Sequence, residues 1–124
     1  MKKLFVCVGL LTATLLMGND LLAQSKNVQD AFSKFKMVSP KNDAEKNLRI
    51  LDEAKTFIDA AADNAETKED PKMHFYRAQI YMSLYETGAQ QAMLSGNADQ
   101  AKLEGYKNTA ATSFLFCLNE PKKK

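Results

Sequence analysis

The chain carries one histidine, His74, and two cysteines, Cys7 and Cys117. His74 stands among Met73, Phe75 and Tyr76. Acid–base or nucleophilic catalysis would need a second polar group brought to the imidazole, and the spacing supplies no base partner and no nucleophile. Packing in a core or interface is the expected use of this ring. Glu66, Glu69 and Asp70 gather in one loop and invite a divalent cation, but they lack the alternating ligand order and central glycine of a calcium loop. They are expected to form a solvated turn in which Asp70 caps the next helix. Cys117 lies among Phe114, Leu115, Phe116 and Leu118, so it is expected to be a small buried apolar residue rather than a nucleophile. No Gly-rich phosphate loop, HExxH, CxxC or nucleophile elbow occurs. The chemistry-bearing residues therefore predict no enzyme, no cofactor and no metal centre.

Methionines 73, 82 and 93 with tyrosines 76, 81 and 85 could form an adaptable binding surface or a pocket for a small apolar ligand. Apolar rows at helical spacing normally face inward, so a core is the first expectation and a helical carrier of an apolar ligand the alternative.

The elements that position these residues are all helical. Val28, Ala31, Phe32 and Phe35 recur at i, i+3, i+4 and i+7, predicting a short helix over 28–38 that Ser39-Pro40 stops. A second helix is expected from Asn42 or Asp43 to about Ala65. Its apolar face is Ala44, Leu48, Leu51, Ala54, Ile58, Ala61 and Ala65, and its charged face runs from Glu45 to Asp63. The segment Thr67–Tyr85 then closes a polar turn on Asp70-Pro71 and opens a third helix. Asp70 can accept from unpaired amides there, and Pro71 at the first position lacks the amide that would go unused. That helix is predicted to end near Thr87 with Gly88 in the left-handed conformation. Met73, Tyr76, Ile80 and Leu84 make one apolar row and Phe75, Met82 and Tyr85 another beside it, as in a helix sandwiched between neighbours. Residues 88–97 are read as a turn or a short extra helical piece, with Asn97 and Gln100 as a capping box. A fourth helix follows over about Ala98–Leu118 along Ala101, Tyr106, Ala110, Phe114, Cys117 and Leu118, closed by Pro121. No alternating strand pattern occurs, and the fold class is all-α, built of antiparallel helical hairpins.

Lys2 and Lys3 precede an apolar run, Leu4 to Met17, that is nearer the length of a secretory signal core than of a membrane helix. Leu21-Leu22-Ala23 places cleavage between Ala23 and Gln24, so residues 1–23 are expected to be a signal peptide and 24–124 the helical domain. Cys7 lies inside the apolar run with no lipobox before it. The expected location is the periplasm or the extracellular space, with no membrane insertion after cleavage. The 17 basic and 15 acidic residues give a net charge of +2. Residues 1–23 hold Lys2, Lys3 and Asp20, so without them 17 less two and 15 less one leave +1. Basic and acidic side chains alternate along the helices and form no stripe for nucleic acid. With Cys7 removed, Cys117 has no cysteine within the domain to pair with, and stability must come from packing.

Residues 72–121 resemble one tetratricopeptide repeat with an insertion. His74, Ala78 and Tyr81 stand where that repeat carries a large aromatic, a small residue and a tyrosine. Ala110, Phe114 and Cys117 stand at the small, large and small positions of its second helix, before the terminating Pro121. Ala54, Ile58 and Ala61 repeat the small-large-small spacing, and the linker 67–72 resembles that of secreted tetratricopeptide-like proteins of Gram-negative bacteria. His74 replaces tryptophan, Arg77 leucine and Cys117 alanine. The resemblance implies a short solenoid of two stacked hairpins acting as a protein–protein interaction module. It implies a concave face presenting Lys72, Phe75, Gln79 and Met82 to a protein partner. At least about three repeats are usually needed for a continuous core, so the open end is expected to be covered by another protein or by a second copy, unless the outer helices cap themselves or the chain is a shortened relative of a longer array.

Overall fold

The computed structural model describes residues 26–119, and every regular element among them is an α-helix. Helix α1 covers residues 26–35, α2 Ala44–Asp63, α3 Pro71–Ser95 and α4 Gln100–Asn119. The expected signal segment 1–23, its cleavage point, Pro121 and the terminal lysines lie outside the described residues. No helix among the described residues is long and apolar enough to cross a membrane.

Helix starts follow side-chain chemistry. Asp43 accepts from the Lys46 amide at 2.7 Å, Asp70 from the Lys72 amide at 3.0 Å, and Asp99 from the Lys102 amide at 3.1 Å. Each satisfies an amide that the first helical turn leaves without a carbonyl. Pro71 takes the first position of α3, as its missing amide predicts. Between α1 and α2 the buried Asn47 clasps the Ser39-Pro40 loop. Its Oδ1 accepts from the Ser39 amide and from Asn42, and its Nδ2 donates to the Ser39 carbonyl. Thr67 is buried in the α2–α3 turn, and its hydroxyl donates to the Ala61 carbonyl at 2.6 Å.

Helices α3 and α4 run antiparallel, which the residue pairs between them show. Asp59 of α2 meets Arg77 and Tyr81 of α3. Along α3 and α4, Cys117 Sγ donates to the Pro71 carbonyl at 3.3 Å, His74 stacks on Phe116, Tyr81 packs edge-on to Tyr106 and Gly88 faces Leu103. Helix α1 lies beside α3, with the Phe32 and Tyr76 rings stacked at 4.4 Å. One core results, built of Val28, Ala31, Leu51, Ala54, Ile58, Ala61, Met73, Ile80, Tyr81, Leu84, Tyr106 and Ala110.

Three expectations are corrected. Helix α3 does not stop at Gly88; it continues to Ser95 and ends on Gly96, whose φ of 76° is left-handed. Gly88 serves close approach instead: a Cβ there would stand 2.8 Å from the Leu103 side chain. Asp99, not Asn97, caps α4. The buried stripe of α4 is Tyr106, Ala110 and Ser113, whereas Ala101, Phe114 and Leu118 are exposed. Small residues at 110 and 113 let α4 settle against α3, and that turns the bulky Phe114 outward.

Gly105 lies exposed inside α4 with open space where a Cβ would stand. Gly105→Ala is therefore expected to raise unfolding free energy by about 0.5–1 kcal/mol, through reduced unfolded-state freedom alone. Urea denaturation showing a lower midpoint would refute it.

Candidate functional site

Helix α3 has more apolar surface than α2 and α4 cover. One face buries Met73, Ile80 and Leu84 completely. The opposite row is Lys72, Phe75, Gln79, Met82 and Glu86, stepping by three and four. Phe75 and Met82 remain 44% and 41% exposed. Gln79, Met82 and Ser83 floor a groove of about 310 Å³, walled by Phe35 of α1 and by Ala110, Ala111 and Phe114 of α4. Phe114 is 49% exposed on its wall. The groove exists because the α3–α4 contact is made by Ala78 and Ala110, both nearly fully buried; the small pair leaves the larger neighbours standing proud on either side.

Of the four residues expected to meet a partner, three line two separate hollows and Phe75 lies outside both. Gln79 and Met82 lie on the groove floor. Phe75 continues the row toward the start of α3, tilted against Tyr76. Lys72 borders a second hollow of about 260 Å³ with Val28, Gln29, Phe32, Ser33 and Tyr76, its Nζ 5.8 Å from the Tyr76 ring centre. The walls at Phe35, Ala111 and Phe114 were not among the expected contacts. Their signal in the sequence is an excess of large apolar residues on α4 over what one buried stripe needs.

Behind the floor, a polar cluster rivets α2 to α3. Asp59 accepts from the Tyr81 hydroxyl at 2.7 and 2.8 Å, pairs with Lys55 at 3.0 Å and with Arg77 at 3.4 Å. Burial, and then the hydrogen bond to Asp59, push the Tyr81 phenol up to about 12. The hydrogen bond to Asp59 also raises Lys55, against the opposing effect of burial. The cluster fixes the rotation of α3, and so the direction in which Phe75 and Met82 point.

His74 packs as its neighbours suggest. Its ring stacks on Phe116 with centroids 4.0 Å apart, its Nε2 donates to the Lys68 carbonyl, and its Nδ1 is covered without a hydrogen-bond partner. Cys117 is half-buried at the Pro71 carbonyl. Glu66 and Glu69 are exposed, and the Asp70 carboxylate is engaged in its cap. Among the described residues no three His, Cys, Asp or Glu side chains gather closely enough to hold a metal. A third hollow, between α2 and the α3–α4 turn, mixes polar Asp52, Asn97 and Lys102 with apolar Leu48, Leu103 and Tyr106. Of these three hollows the groove is the most apolar. Comparison of the chain with protein-family models, with curated proteins and with solved structures finds no match.

Proposed function

We propose that this chain is an extracytoplasmic docking module of tetratricopeptide type, exported on its amino-terminal segment, whose α3 groove takes up a helical segment of a protein partner. The observation that carries this reading is the apolar floor and walls of the groove, with Met82 and Phe114 left roughly half-exposed over it. An amphipathic helix laid in such a groove would bury its anchors at i, i+3 or i+4 and i+7 spacing. The reading draws on the resemblance to tetratricopeptide repeats, which implies two stacked helical hairpins, and on a helix count of four among the described residues. The groove is partly open to solvent and, at about 310 Å³, sits at the lower end of the roughly 300–1,000 Å³ common for small-ligand pockets. That favours a helix over an enclosed apolar ligand. The module has no catalysis of its own in this reading, and no role for nucleic acid.

Replacing both Phe75 and Met82 with alanine is expected to lower partner binding by roughly tenfold or more while changing stability by less than about 1 kcal/mol, because both side chains are substantially exposed in the folded protein. A photoreactive residue at position 79 in intact cells, set against one at exposed Glu45, reads the binding. Melting of the double variant reads the stability. An equal collapse of both would assign the two residues to the core and remove the groove as a docking site.

A further inference from the structure

The exposed row of α3 is nearly palindromic in its chemistry. From Lys72 through Phe75, Gln79 and Met82 to Glu86 it reads basic, apolar, polar, apolar, acidic, with seven residues on either side of Gln79. Neither Lys72 nor Glu86 makes an ion pair among the described residues. At about 1.5 Å per residue the two charges stand roughly 21 Å apart along one helix. A second α3 laid antiparallel, with Gln79 on the two-fold axis, sets each Lys72 opposite the other copy's Glu86 and each Phe75 within one residue of the other's Met82.

We propose that this face is a symmetric docking surface for a second copy of the chain. The inference rests on the reading of the α3 face as a docking site and names its occupant. A two-fold contact uses the same patch on both copies, so every complementary pair occurs twice and assembly stops at a dimer. The apolar residues supply the affinity: Phe75 and Met82 on the row, with Phe35 and Phe114 flanking it. Exposed ion pairs contribute little by themselves. The Lys72–Glu86 pairs set register and direction, since a parallel or shifted arrangement brings lysine to lysine or leaves charge against Phe75. The other end of α3 carries Met93 and Leu94, 86% and 79% exposed, but no matching charges stand across from them in any self-paired register centred there.

The test is a charge swap read by sedimentation of the purified protein. The unaltered chain is expected to shift from monomer to dimer with concentration and to stop at dimer. Lys72→Glu and Glu86→Lys each place like charges together twice, and each is expected to weaken self-association by roughly tenfold. Mixing the two variants in equal amounts should restore it, because each mixed dimer regains two opposite-charge pairs. Both substitutions fall on exposed positions, and an unchanged helical circular-dichroism spectrum verifies folding. Gln79→Cys adds an independent reading: a residue on the two-fold axis meets its own copy, so mild oxidation should link two chains through position 79. A strictly monomeric unaltered chain, or a mixture as weak as its parents, overturns the proposal. If the chain is monomeric while position 79 still crosslinks to another protein in cells, this pairing falls and the docking groove stands.

Discussion

Leu84→Ala is expected to lower the free energy of unfolding by about 3 kcal/mol, inside the roughly 2–5 kcal/mol range for deleting a fully enclosed aliphatic side chain. Leu84 has no exposed surface and sits on the face of α3 that belongs to the common core with Leu51, Ile58 and Ile80. Removing three carbons there leaves a hole that rigid helices on both sides cannot close. Phe75→Ala, one face away, removes more atoms and should cost far less. Urea denaturation of the two variants gives the comparison directly. If Leu84→Ala cost under about 1 kcal/mol, the placement of α3 between its neighbours would be wrong.

Asp59→Ala should be the most damaging polar substitution, at about 2 kcal/mol near neutral pH. It strips the Tyr81 hydroxyl of its acceptor and leaves Lys55 and Arg77 without their carboxylate. The effect stays moderate because the cluster is partly open to water, which screens the two ion pairs. The same cluster predicts an alkaline weakness. Tyr81 ionises near 12 in the folded chain against 10 unfolded, so the stability due to its neutral form is complete below pH 10 and drains away as pH rises toward 12. Lys55, also raised, loses its contribution in the same direction, above its ordinary 10.5. Tyr81→Phe should lower the melting temperature at pH 8 and flatten its fall between pH 10 and 12. An identical slope with and without the Tyr81 hydroxyl would remove the phenol as the cause.

Much of the helical layout was legible in the sequence because capping is local. Asp43, Asp70 and Pro71 marked two helix starts, and the Leu51, Ala54, Ile58, Ala61 face of α2 is buried as its spacing requires. The end of α3 was not legible. A glycine in a helical pattern has two uses, a left-handed stop or room for a neighbour, and only the Leu103 side chain lying over Gly88 tells them apart. The face of α4 misled for a related reason. Hydrophobicity picks Phe114 as the inward residue, but the helix packs by fit, and small Ala110 and Ser113 permit a closer approach than phenylalanine would. The groove inherits this error, since Phe114 became one of its walls. Asn47 was invisible for the opposite reason: a polar side chain reads as surface until the loop whose backbone it satisfies is folded over it.

That asparagine bears on the order in which the molecule comes undone. Its amide stands in for a strand of backbone, and α1 otherwise rests on the buried Val28 and Ala31, the Phe32–Tyr76 stack and the Lys34–Glu53 pair. The amino-terminal helix is thus latched at its exit as well as seated in the core. Loosening the latch alone acts on the exit of α1, where Phe35 stands over the groove, while Val28 and Ala31 keep the rest of the helix in the core. A chain arranged this way would adjust the breadth of its own seat at one frayed helix end rather than by moving any rigid part.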